Sequence, residues 1–165
     1  MNHTSETAIL VERLDWWRDQ RHILKNINWQ VKKNEHWAVL GLNGSGKTTL
    51  LQMIAGYLWP SKGQITVLGN RYGHCDLRQV RRSIGWVSSA LEARINPGER
   101  VRDIVISGKF ASFGLYEQWG EDEAQQAEQL MQQFHCNHLA DARYSQLSEG
   151  ERQKVLIARA LMAQP

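Results

Sequence analysis

Eight consecutive residues, Gly41-Leu42-Asn43-Gly44-Ser45-Gly46-Lys47-Thr48, have the types and spacing to hold a polyphosphate. A triphosphate is gripped by backbone N–H groups curled closely around it, and such close wrapping needs glycine. Gly41, Gly44 and Gly46 supply it, with Asn43 and Ser45 between them. Lys47 can reach the β- and γ-phosphates, and the Thr48 hydroxyl suits Mg²⁺. Thr49 follows, in what reads as the first turn of a helix over residues 48–57. A helix start turns its positive end toward an anion, an effect of about 0.3–1 kcal/mol, rising to about 2 when partly buried.

A second stretch, Leu147-Ser148-Glu149-Gly150-Glu151-Arg152-Gln153-Lys154, reads as another helix start. Ser148 is a natural N-cap, and Glu151 three residues on completes a capping box. The same N–H groups could also face an anion, and the two readings are compatible. Glu149 and Glu151 would then have to turn away from it.

Positioning these loops is the task of the surrounding elements. Residues 8–14 read as a strand. Ile27, Trp29 and Val31 alternate with polar residues over 23–31, the period of a half-exposed antiparallel strand. Residues 36–40 (His-Trp-Ala-Val-Leu) are nearly all apolar and predict a parallel strand covered on both faces, leading directly into the glycine loop. Residues 64–68 read as a strand between Gly63 and Gly69, 76–83 as a short helix, and 84–87 (Ile-Gly-Trp-Val) as a second buried strand. Helices are predicted over 101–107, over 121–134, where Ala124, Ala127, Leu130, Met131 and Phe134 keep the helical period, and over 151–162. Gly56 and Pro60 help to end the first helix, and His135, Cys136 and His138 read as a helix end without a metal-binding spacing.

With the two motifs in this order, the sequence resembles ABC-type ATPases, whose signature occurs as Leu-Ser-Gly-Gly-Gln and as Leu-Ser-x-Gly-Glu. The resemblance covers essentially the whole chain, including Ile23-Leu24…Ile27, the Gly63…Gly69 strand and the run from Arg82 to Val87. The run from Glu35 to Gly46 looks like a bacterial subgroup related to molybdate- and iron-type import ATPases and to soluble twin-domain relatives. The fold implied is α/β: a P-loop NTPase, RecA-like core with an antiparallel β subdomain and an α-helical subdomain, incomplete at the C-terminus. Residues 1–106 would form the β subdomain and P-loop core, 107–147 the helical subdomain and 148–163 the signature helix.

The resemblance implies ATP and Mg²⁺ as cofactors. It also implies a second ABC ATPase domain as head-to-tail partner, with Ser148 and Gly150 facing the γ-phosphate held by that partner, and a transmembrane permease subunit. The protein would be cytoplasmic, peripheral at the inner face of the membrane, coupling ATP hydrolysis to solute transport. An aromatic residue stacks on adenine in this family. Trp16 and Trp17 stand at that point, and since neighbours on a strand face opposite ways at most one can serve. Trp17 fits by its spacing to Leu24. The segment from Ser107 to Trp119, with Phe110, Phe113, Leu115, Tyr116 and Trp119, is apolar enough either to face the permease or to cover its own helices.

Two departures from the family matter. Ser89 stands where a glutamine usually helps hold Mg²⁺ and the attacking water; its hydroxyl could act there or be a plain loop residue. After Pro165 the family continues with an apolar strand ending in Asp-Glu, and later a switch histidine. Without that strand, Trp37 to Leu40 would be an exposed apolar edge. The chain is therefore expected to be an N-terminal piece of a longer domain, able to bind nucleotide but with little turnover by itself. A soluble, non-transport ABC ATPase, or a nucleotide-binding fragment, is the alternative.

The bulk numbers agree with a folded domain: 165 residues, 42% apolar, net charge +3. The cations are scattered, so no nucleic-acid partner is expected. The two cysteines read as free thiols of a reducing compartment, and most of the seven tryptophans as packing residues.

Overall fold

A computed structural model describes residues 6–114 and 117–165. The chain divides into two compact units, Met1–Val80 and Arg81–Pro165.

The first unit is built on an antiparallel sheet of order β2-β1-β3-β4: β1 (Thr7–Arg18), β2 (Arg21–Lys32), β3 (Lys62–Val67) and β4 (Asn70–Arg71). Asp19 and Gln20, both at positive φ, turn β1 into β2. A two-residue connection suits such backbone angles. Val11, Leu14, Leu24, Val31, Ile65 and Val67 are buried and mark the core face. Between Val11 and Leu14 the register slips at Arg13, itself at positive φ, so two apolar residues spaced by three reach the same face. Helix α1 (Lys47–Ile54) lies in the excursion between β2 and β3 and buries Leu50, Met53 and Ile54. It ends as the sequence anticipates: Gly56 at φ 74° is followed by a Tyr57 amide donating to the Gln52 carbonyl, a Schellman closure. The Tyr72 hydroxyl donates to the Ile54 carbonyl and ties the end of the sheet to α1.

The second unit begins at the end of α2 (Leu77–Arg81) and contains α3 (Ser89–Glu92), α4 (Val101–Ser107), α5 (Glu121–Gln133) and α6 (Glu149–Leu161), with 3-10 turns at Gly108–Phe110, Asn137–Leu139 and Tyr144–Gln146. Its core joins Ile104, Ile106, Met131, Leu156 and Met162. Helix α5 closes with His135 in the left-handed region and the Cys136 amide donating to the Met131 carbonyl. Histidine here takes the place usually given to glycine. Phe110 and Phe113 pack against this core, while Trp119 is exposed. Leu115 and Tyr116 lie outside the described residues.

Two sequence expectations fail. Neither 36–40 nor 84–87 is a strand; both run without a ladder. Trp37 is 57% exposed, Leu40 90% and Val87 40%. An apolar run becomes a buried parallel strand only when neighbouring strands accept its backbone groups and helices cover its faces. Among the described residues no strand pairs with either segment. The 35–37 segment is instead clipped locally. The Glu35 carboxylate accepts from the Lys32 amide and from the Trp37 indole N–H, and Trp37 meets Trp29 edge-on.

Candidate functional site

The glycine-rich loop sits where the core face of the sheet meets the start of α1. Gly46 is the N-cap of α1 at φ 93°, and a Cβ there would lie 2.7 Å from Leu24 Cδ2 and 3.2 Å from Ile23 Cγ2. The loop is thus seated on β2, and only glycine allows both the backbone angle and the approach. Gly44 also has positive φ, at 80°. Gly41 lies under the Ser45 side chain, and the Ser45 amide donates to the Leu42 carbonyl, closing the loop. Lys47 folds back over it, its Nζ donating to the carbonyls of Gly41 and Leu42 at 2.8 Å each. The ammonium therefore stands at the mouth of the loop. Asn43 and Thr48 are exposed and Thr49 is half-buried. Helix α1 has no side-chain cap and no acidic residue in its first turn. Its leading N–H groups have no acceptor within the helix, so their partial positive charge is not offset there.

Trp17 pairs with His22 across the hairpin. The two rings are stacked at 4.1 Å and 10°, and Lys62 Nζ lies 5.4 Å from the Trp17 ring. His22 Nε2 is 2.6 Å from Asp15 Oδ1. The amide of Asn26, and then His22, hold the Asp15 carboxyl below its ordinary range. Asp15 and Trp17 alternate with buried Leu14 and with Trp16, so they belong to the outer face of the sheet. Trp16 pairs with Leu24, the residue on which Gly46 rests. The outer face also carries a cavity of about 680 Å³ lined by Arg13, Asp15, Lys62 and Arg71 but by no residue of the glycine loop.

In the second unit, Ser148 caps α6. Its Oγ accepts from the Glu151 amide at 3.4 Å, while Glu151 Oε2 accepts from the Ser148 amide at 2.8 Å and its hydroxyl at 2.7 Å. These bonds from Ser148 hold the Glu151 carboxyl below its ordinary range. Glu151 is thus folded back on the cap and not projected ahead of the helix. Gly150 faces open space, since a Cβ there meets nothing within 4 Å.

Ser89 opens the four-residue α3, capped by Ser88, whose Oγ accepts from the Leu91 amide. It borders a cavity of about 400 Å³ shared with Glu92, Tyr144 and Arg152. Arg152 Nη1 lies 3.4 Å from Glu92 Oε1, and its guanidinium stands 5.4 Å from the Tyr144 ring centroid. Tyr144 is buried; burial first, then the Glu92 charge, push its hydroxyl up to about 12. Sequence reasoning did not find this cluster. Arg152 falls four residues after Ser148 and Glu92 three after Ser89, but no local pattern announces that the two helices meet.

Among the described residues no group of three or more His, Cys, Asp or Glu could hold a metal ion, and no helix is long and apolar enough to cross a membrane. The oxygen donor that the glycine loop offers to Mg²⁺, on Thr48, is exposed beside Lys47. A single hydroxyl fits an ion that takes most of its ligands from phosphates and water.

A family model described as "ABC transporter" matches residues 24–165. An uncharacterized ABC transporter ATP-binding protein, YlmA of Bacillus subtilis, is 44% identical over 149 residues, which are 90% of this chain and 56% of that protein. The chain therefore spans little more than half the length of this relative. Among solved structures, the dimeric MJ0796, a bacterial ABC transporter cassette, superposes with a TM-score of 0.80 at 26% identity, covering 95% of this chain and 70% of the other. CbiO1 from Clostridium perfringens, described as part of the ABC transporter complex cbiONQ, gives 0.74 at 29% identity, covering 97% and 63%.

Proposed function

Because the chain belongs to the ABC transporter ATP-binding family, we propose that it is the nucleotide-binding part of an ATPase that couples ATP binding and hydrolysis to solute transport across a membrane. The observation that carries this reading is the start of α1: an uncapped, acid-free helix N-terminus, seated on β2 through Gly46, with the Lys47 ammonium at its mouth. Positive charge gathered on backbone and side chain in a glycine-lined loop is what a polyphosphate requires.

In this reading the loop amides from Gly41 to Thr49 wrap the β- and γ-phosphates. Lys47 leaves its two carbonyl partners to bridge the same phosphates, neutralising charge as it builds on the transferred group. Asn43 and Ser45 shape the loop between the glycines. Thr48 would help to hold Mg²⁺ through its hydroxyl, and the ion would supply charge neutralisation to the phosphates. Ser148 and Gly150 open the signature helix toward the γ-phosphate held by a second, head-to-tail ABC ATPase domain. Glu151, already folded onto the cap, keeps its charge off that path. Ser89 offers a hydroxyl to the attacking water. Trp17 remains the adenine partner favoured by spacing, whereas the pairing of Trp16 with Leu24 favours Trp16. A permease subunit would place the protein at the cytoplasmic face of the membrane.

Titrating MgATP against the protein tests the reading. Saturable binding that Lys47→Ala abolishes supports it; binding indifferent to Lys47 refutes it. The 165-residue chain alone should bind with little turnover, and rapid hydrolysis by it, lost with Lys47→Ala, would overturn that expectation.

A further inference from the structure

Arg152 has no task in the mechanism above, yet it lies on α6 and its side chain meets both α3 and the Tyr144 turn ahead of the signature serine. It lies one turn into α6, and its own amide donates to the Ser148 carbonyl. Its guanidinium contacts Glu92, the last residue of α3, and faces the ring of Tyr144, three residues ahead of Leu147. Ser89 and Glu92 are three positions apart and share one side of a helical turn. Ser89 and Arg152 border the same cavity. The pair is only partly exposed, with 34% of the Arg152 side chain and 24% of that of Glu92 open to solvent. The guanidinium is a planar fork that can hold a carboxylate while lying on an aromatic face, which an ammonium cannot do equally well. Helix α3 has four residues and cannot hold its place by its own hydrogen bonds. Leu91 is buried in the core of this unit, and the Glu92–Arg152 pair joins α3 to α6.

We propose that Arg152 is a positioning residue which, through Glu92 and Tyr144, locks the Ser89 helix to the signature helix so that the Ser89 and Ser148 hydroxyls move as one body. The nucleotide is gripped elsewhere, by the glycine loop, so the lock governs turnover and not nucleotide affinity. This inference rests on the nucleotide-hydrolysing reading given above.

The test uses the natural protein that carries this chain, with turnover and MgATP affinity measured separately. Arg152→Met should lower turnover by about tenfold with the dissociation constant changed less than about twofold. Glu92→Gln should do the same, and the double variant should be no worse than either single one. Arg152→Lys, which keeps the charge and loses the fork, should recover part of the loss. Hydrogen exchange in the nucleotide-free protein should show amides 91–93 losing protection in Arg152→Met while those of β1 keep theirs. If Arg152→Met fails to fold, Glu92→Gln carries the same expectations with an unchanged side-chain shape. Losses that multiply in the double variant, an affinity that falls in step with turnover, or variants that turn over like the unsubstituted protein overturn the inference alone. An unsubstituted protein with no turnover, or MgATP binding that survives Lys47→Ala, overturns the nucleotide reading and the inference with it.

Discussion

The two helix starts that this chain offers to phosphate are built in opposite ways. That of α1 has no side-chain cap, no acid in its first turn and glycine at its N-cap. That of α6 has a serine cap, a reciprocal glutamate and two acids in its first turn. The first leaves its N–H groups for a ligand. The second ties the Glu151 amide and the Ser148 amide and hydroxyl into its own cap, and on the proposed reading a phosphate would compete with Glu151 for that hydroxyl. The difference teaches that two or three side chains decide whether a helix start is left open or is closed by its own cap.

The comparison breaks most severely at the glycine loop. Removing the Lys47 ammonium forfeits charge-assisted hydrogen bonds worth about 1.5–3 kcal/mol, so a fluorescent ATP analogue should bind roughly 10- to 150-fold more weakly to Lys47→Ala. Gly46→Ala forces a residue with a Cβ into positive φ against Leu24, a strain of about 1–3 kcal/mol, and should lower both the denaturant midpoint and nucleotide affinity. At α6, Ser148→Ala should cost about 1 kcal/mol of stability through the lost cap, read from the same denaturation curve, with MgATP affinity of the glycine loop unmoved. Trp16→Ala and Trp17→Ala sharpen the adenine assignment: the true partner, once removed, should cost more affinity for ATP than for inorganic triphosphate, the other substitution leaving that ratio as it was. The smallest effect concerns acid. Glu151 has a lowered folded pKa, so its contribution is full above the unfolded carboxylate value of about 4.3 and is lost as pH falls through the folded one. Glu151→Gln should flatten that part of the stability–pH curve. No such acid term exists at the start of α1, which has no carboxylate in its first turn.

What was legible in the sequence was what is local. The alternation of Ile27, Trp29 and Val31, the spacing of Ala127 and Met131, the closure at Gly56 and the Ser148–Glu151 box each arise within a few residues, and each is found. The apolar runs 36–40 and 84–87 misled because a strand belongs to a ladder, not to a segment. The pairing of Trp16 with Leu24 depends on a register slip on β2, beyond the Trp17–His22 pair that the two-residue turn sets, and no composition announces it. The Glu92–Arg152 contact spans sixty positions, and charged residues at such a distance carry no mark of each other.

The sheet order has a consequence for the order of assembly. β1 stands between β2 and β3, so its first ladder is a hairpin closed by two residues, and its second cannot form until residues 62–67 are available. The glycine loop and α1 lie in the excursion between those two ladders. Short-range closure is fast and long-range closure slow. A growing chain therefore completes the hairpin well before it anchors both ends of the loop. Pulse-labelled exchange during refolding should find β1–β2 amides protected ahead of those in α1. On the proposed reading, the loop gains its grip on a nucleotide late, when β3 docks.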